Sequence, residues 1–269
     1  MVAIFAVATT ARADEIADKG RDIFTKNEHA VVTVQVVLKA TYSGGGRSGE
    51  PNESKNDVTG TVIDPSGLAV LALSACDPAD LYHRISEDYK IETEVNDLKI
   101  LLDDGTEMPA EIVLRDKDLD LAFIRPKAKP TSPMTFVDFS KSGPAGMLEQ
   151  VVTLNRLNRA AGRGYSASVE RISSVIEKPR TFYIPDATMS TTSLGSPAFL
   201  MNGNVLGLFV MRAVNSGGSR NPRDSMTTII IPAEDILKGS KQAPEAKGES
   251  DKASAAKPEK STTDDKSTK

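Results

Sequence analysis

Short runs in which apolar and polar residues alternate, or in which apolar residues crowd together, recur along most of the chain. Each run is bounded by turn-forming residues. Ala30 to Ala40 (AVVTVQVVLKA) is valine-rich and reads as a strand. A glycine-serine-polar stretch from Ser43 to Lys55 follows and reads as a flexible, exposed loop. Asp57 to Ile63, the turn Asp64-Pro65-Ser66-Gly67 and Leu68 to Leu73 make a hairpin, with proline and glycine where a turn needs them. Residues 77–95 are polar, with one helical turn near Leu81-Tyr82. Leu98 to Leu102, the turn Asp103-Asp104-Gly105 and Met108 to Leu114 form a second hairpin, and Leu121 to Ile124 is another short strand.

Pro126 to Met134 reads as a linker between halves. Beyond it the pattern repeats, with strands expected near Leu148–Leu157, Tyr165–Ile176, Thr181–Ile184, Ala198–Met201, Val205–Arg212 and Met226–Ile231. Many short strands with almost no helix argue for an all-β barrel or sandwich. Helical periodicity is confined to Asp14–Asn27, with Ile16, Ile23 and Phe24 on one side, and to Pro232–Lys238. From Gly239 onward large apolar residues vanish. Such a mixed-charge tail cannot offset the entropy of ordering, so 240–269 is expected to be solvated and disordered.

Composition narrows the function more than the fold. A net charge of −4 offers no broad attraction to nucleic acid or an anionic membrane. No apolar run approaches the roughly 18–20 residues of a membrane-spanning helix. Cys76 is the only cysteine, which rules out an internal disulfide and a multi-cysteine zinc site. The two histidines, His29 and His83, leave little material for a metal centre or a general base. Gly162-Arg163-Gly164 is a hairpin turn rather than a phosphate loop, and Asp116 and Asp118 lack the glycine and closing glutamate of an EF-hand. No cofactor or metal is expected. At the start, the apolar run Met1–Ala8 followed by Ala11-Arg12-Ala13 fits a signal peptide (residues 1–13) without its basic n-region, which implies a periplasmic or secreted protein. The alternative is a frayed apolar terminus.

Three segments, taken in order, resemble the trypsin-like domain of the HtrA/DegP family. They are Gly60 to Ser74, Asp103 to Ile124, and Asp186 to Phe199 running on to Gly207. The ending Ile229-Ile230-Ile231-Pro232-Ala233 is similar to the family's last strand and the start of its C-terminal helix. The resemblance covers roughly residues 29–239. It implies two Greek-key β-barrels of the chymotrypsin/trypsin-like fold, at 29–130 and 131–239, with a short N-terminal helix at 14–28 and a short C-terminal helix. The chain passes from Lys238 straight into the tail, so the family's usual PDZ module is not expected.

The same resemblance places the catalytic positions. The family's aspartate matches Asp120, its histidine matches Ser74, and its nucleophile matches Leu194. A serine protease needs a hydroxyl nucleophile, an imidazole to take its proton and a carboxylate to orient the imidazole. Serine is no base near neutral pH, and leucine has no nucleophilic atom. In the oxyanion-hole segment, which spans Thr192 and Leu194, the family's leading glycine is replaced by the β-branched Thr192. These losses point to a pseudoprotease of the cell envelope that binds a peptide or protein, by strand addition as the family's cleft does. The alternative is a hydrolase with a displaced site built from His83 with Ser193 or Ser196. Cys76 reads as a small, partly buried residue.

Overall fold

The computed structural model describes residues 10–44, 47–85, 89–186, 193–215 and 225–245. Its first half contains β1 (Val31–Gly44), β2 (Arg47–Ser48), β3 (Asn52–Val62), β4 (Ala69–Ala72), β5 (Tyr89–Leu101), β6 (Glu107–Asp116) and β7 (Leu121–Pro126). These run in the order β1-β3-β4-β7-β6-β5, and a β1–β5 pairing closes the ring, with β2 appended to β1. The second half holds β8 (Gln150–Arg156), β9 (Tyr165–Ile176), β10 (Phe182–Pro185), β11 (Pro197–Leu200), β12 (Val205–Ala213) and β13 (Met226–Pro232). They form a second closed barrel in the order β10-β13-β12-β11-β8-β9. This is the chymotrypsin-like arrangement of two six-stranded antiparallel barrels.

Each barrel has its own interior. Val34, Leu71, Ile100 and Ile124 fill the first, and Val151, Ile172, Phe209 and Ile230 fill the second. A larger cluster lies between them, where Val70, Phe123, Phe199, Leu208 and Val210 meet. It explains why β4, β7 and β11 are buried at every position. One face of each looks into its barrel and the other into the seam, so the sequence runs apolar without alternation.

Helix α1 (Thr10–Asn27) buries Ile23 at this seam, and α4 (Ala233–Ser240) buries Ala233 and Ile236 there. α4 lies so close to β7 that a Cβ on Gly239 would sit 2.8 Å from the Phe123 ring. The chain then continues to Glu245, and Arg125 Nε donates to the Pro244 carbonyl at 2.9 Å.

The six strands expected in the second half are present with small shifts at their ends. Three expectations in the first half need correction. The stretch from Ser43 to Lys55 is not a loop throughout, because β3 starts at Asn52 and pairs with β1 from Ala40↔Asn52 through Val31↔Thr61. β5 begins at Tyr89, not Leu98, and pairs with β1 from Gly44↔Tyr89. In both cases the backbone is laddered while side chains such as Glu53, Lys55 and Asn56 face solvent, so polarity disguises a strand as a loop. The expected linker, Pro126 to Met134, carries no strand or helix after Pro126 and is largely exposed, and packing resumes beyond it. Val137 and Phe139 are buried, and Val137 N–H donates to Val62 O at 2.9 Å. α1 also starts four residues before Asp14, at Thr10.

Candidate functional site

β4 ends at Ala72 and runs into a single helical turn, α2 (Leu73–Cys76), which carries Ser74. The turn before β7 carries Asp120, held at the left-handed φ of 57°. Leu73 N–H donates to the Asp120 carbonyl at 2.8 Å and ties the two segments together. Ser74 then engages the Asp120 side chain twice. Its N–H donates to Oδ1 at 2.7 Å and its hydroxyl donates to Oδ2 at 2.8 Å. Met211 N–H, from β12 of the other barrel, donates to the same Oδ2 at 2.9 Å. Burial pushes the Asp120 carboxyl up to about 6, although the Met211 and Ser74 donors favour its charged form and oppose that rise.

Leu194 stands across the seam. It is 3 % exposed, belongs to the apolar cluster between the barrels and lines one cleft of about 530 Å³ with Ser74 and Met211. Thr192, the expected oxyanion-hole position, lies outside the described residues. The turn after Leu194 is pinned from both sides. Gly195 N–H donates to Phe209 O at 2.8 Å, while the Thr61 hydroxyl donates to Gly195 O at 2.8 Å. Gly195 adopts φ 91°, and a Cβ there would fall 2.1 Å from the Thr59 carbonyl oxygen. Only glycine fits this approach.

The structure does not assemble the displaced site. His83 is exposed on α3 (Ala79–Ile85) and lines neither of the clefts that meet at Ser74. Ser193 and Ser196 are buried around Asn155 instead. Asn155 Nδ2 donates to Ser193 Oγ at 3.3 Å, and Ser196 Oγ and Thr59 Oγ1 donate to Asn155 Oδ1 at 3.2 and 2.9 Å. Cys76 is fully buried, with its thiol donating to Leu73 O at 3.3 Å, and burial raises its pKa so that it stays protonated. Asp116 Oδ1 caps the backbone of Asp118 and Leu119, so this acid shapes the turn leading to Asp120.

Two features went unseen in the sequence. One is the polar joint of Arg156, Asp103, Tyr165 and His29. Arg156 Nη1 donates to Asp103 Oδ1 at 3.0 Å, and its guanidinium lies 3.9 Å from the Tyr165 ring centroid. Tyr165 donates its hydroxyl to Asp103 Oδ2, and His29 Nδ1 lies 3.1 Å from that oxygen. Burial pushes the Asp103 carboxyl up, but the hydrogen bonds from Tyr165, His29 and Arg156 outweigh it and hold the carboxyl below its ordinary value. These residues come from four separate segments, and no spacing rule links them.

The other is the open edge of β12. Phe209 uses both its N–H and its C=O on the β11 side, to Ser196 O at 3.0 Å and from Gly195 N at 2.8 Å. Met211 N–H points the same way, to Asp120. Strand alternation places the Met211 carbonyl and both backbone groups of Ala213 on that edge, while Val214 N–H turns back to Ser225 O on the β13 side. Among the described residues nothing pairs with the Met211 carbonyl or the Ala213 groups on this edge. Both residues line a second cleft of about 240 Å³ that shares Ser74 with the first.

Comparison with known proteins agrees with this geometry. No curated protein matches the sequence. Among solved structures, the MamO protease domain from Magnetospirillum magneticum in its apo form is similar at a TM-score of 0.51 and 15% identity, covering 80% of this chain and 97% of that one. Deg5 is similar at a TM-score of 0.53 and 15% identity, covering 82% of this chain and 92% of that one. At such identity these likenesses speak to fold alone. The profile of the trypsin-like peptidase domain matches residues 58–208, from β3 through the Asp120 and Leu194 segments into β12, and the chain therefore belongs to the trypsin-like peptidase domain family.

Proposed function

We propose that this protein is a non-catalytic member of the family, which holds an extended peptide or protein segment in the cleft between its barrels and works in the cell envelope. The observation that carries the binding half is the open edge of β12. A strand laid along it would pair with the Met211 carbonyl and the Ala213 N–H and C=O, as strand addition requires. The inactive half is supported by what stands where the chemistry would occur. Ser74 spends its hydroxyl proton on Asp120, and Leu194 offers a hydrocarbon side chain to the cleft. Loss of base and nucleophile together removes the means of acylation rather than slowing it. The envelope placement rests on the apolar start of the chain and the Ala11-Arg12-Ala13 pattern.

The reading that Ser193 or Ser196 acts with His83 has less support, since both serines are engaged with Asn155 and His83 lies out on α3. A fluorophosphonate probe separates the two readings. The full chain should remain unlabelled, and so should Leu194→Ser, which regains a hydroxyl but has no imidazole beside it. Stoichiometric labelling of the unmodified chain that His83→Ala abolishes would establish the displaced-site hydrolase instead.

A further inference from the structure

We infer that the segment held in the cleft is acidic, an inference that rests on the peptide-binding reading above. Taken together, the two flanks of the cleft are lined by seven cations and five carboxylates. On the flank nearer the β8–β9 hairpin, Asp57 is taken by Arg163, whose Nε lies 2.6 Å from Oδ2. On the β12 flank, Lys117 pairs with Asp80 at 2.9 Å and Arg84 with Asp118 at 3.6 Å, while Asp77 is met at 3.7 Å by Arg115, which is not part of the lining. Asp120 is occupied by its hydrogen bonds to Ser74 and Met211.

Four of the seven cations form no ion pair. Lys55 and Arg159 line the first flank and Arg180 and Arg212 the second; none lies in salt-bridge contact with a carboxylate among the described residues, although Arg159 is near enough to Asp57 to favour its charged form. The Arg212 guanidinium lies 4.9 Å from the centre of the Phe182 ring, a neutral contact that leaves its charge uncompensated.

This surplus is local. The chain as a whole carries −4, so the positive cleft is not a reflection of general basicity. An extended segment on β12 would pass between the two cation pairs and could meet them with carboxylates on either side of Leu194. The rest of the lining favours a peptide over a nucleic acid. Leu81, Met211, Leu194 and Val214 are apolar and suit the side chains of a peptide better than a sugar-phosphate backbone.

The test uses the full chain and fluorescein-labelled alternating peptides of valine with glutamate, glutamine or lysine, read by fluorescence anisotropy. The glutamate peptide should bind about tenfold tighter than the glutamine peptide, and the lysine peptide weakest, since several rim charges act together. Added salt should narrow the difference. Charge reversal in Lys55→Glu/Arg159→Glu, or in Arg180→Glu/Arg212→Glu, should erase the preference while the circular dichroism spectrum stays unchanged. Equal binding of all three peptides would overturn the acidic preference and leave the peptide-binding reading standing. No binding of any peptide would overturn both. Displacement of the glutamate peptide by a lower concentration of a single-stranded oligonucleotide would replace the peptide with a nucleic acid.

Discussion

The Asp120 carboxylate receives both polar hydrogens of Ser74, the backbone N–H at 2.7 Å and the hydroxyl at 2.8 Å. The serine keeps a buried acid satisfied, and the acid links the two barrels. Met211 N–H, the remaining donor, comes from the second barrel.

Burial lifts the Asp120 carboxyl to about 6, above its unfolded value near 3.9. The folded state therefore binds this proton more tightly than the unfolded state does. Its contribution to stability is complete below about pH 4 and is lost as pH rises through about 6, a span on the order of 2–3 kcal/mol for a group this buried. Asp57, Asp103 and Asp138 are held below their ordinary values and act with the opposite sign at lower pH. Denaturant unfolding from pH 4 to 7 should isolate the Asp120 component as the difference between the native chain and Asp120→Asn. A pH-independent difference would refute the assignment.

Gly195→Ala should unfold or severely destabilise the protein, by about 3 kcal/mol or more. Its added methyl would meet Thr59 O at 2.1 Å and its φ is 91°. Gly105→Ala is the matched control, because φ there is 83° but nothing lies within 4 Å. It should cost about 1 kcal/mol, from backbone strain alone. Similar losses in the two variants, measured by thermal melting, would mean that the contact with Thr59 carries no weight.

Removing Asp103 leaves the Arg156 guanidinium, 9 % exposed, without its carboxylate. Asp103→Ala should destabilise by about 1–3 kcal/mol, less than for a fully buried pair because Asp103 itself is half exposed. Arg156→Met in the same background should recover part of that loss. A double variant no more stable than Asp103→Ala would show that the buried charge is not the cause.

Ala213→Pro deletes a backbone N–H on the cleft side of β12, where Ala213 faces away from the β13 ladder. Proline is tolerated on a free strand edge, so folding should persist with a change in melting temperature of a few degrees. Peptide binding should fall at least about tenfold. Unchanged affinity in a folded variant would refute strand addition on β12.

Much of the barrel pattern was legible because several hairpins turn at glycine, as at Gly67, Gly105, Gly162 and Gly203. β9 was read at its observed limits, Tyr165–Ile176, since its alternation and flanking turns coincide. β3 and β5 were cut short because their outer halves are polar on exposed faces, and only the pairing with β1 identifies them. Within the site, Ser74, Asp120 and Leu194 could be picked out by resemblance, each resting on local turn geometry. The Asn155 node and the Arg156–Asp103 joint could not, because their partners are separated by tens of residues and share no motif.

The sequence by itself set Ser74 and Leu194 where the resemblance puts the family's histidine and nucleophile, and no conformation gives a serine an imidazole or a leucine a hydroxyl. It also determined the all-β pattern, through period-two alternation and turn chemistry. Only the tertiary structure decided what became of the remainder. Closing both barrels brings Ser74, Asp120 and Met211 within hydrogen-bond reach across the seam. The same closure leaves the β12 edge without a partner strand among the described residues, because a ring that pairs β12 with β11 only at its start exposes the rest of that edge to the cleft.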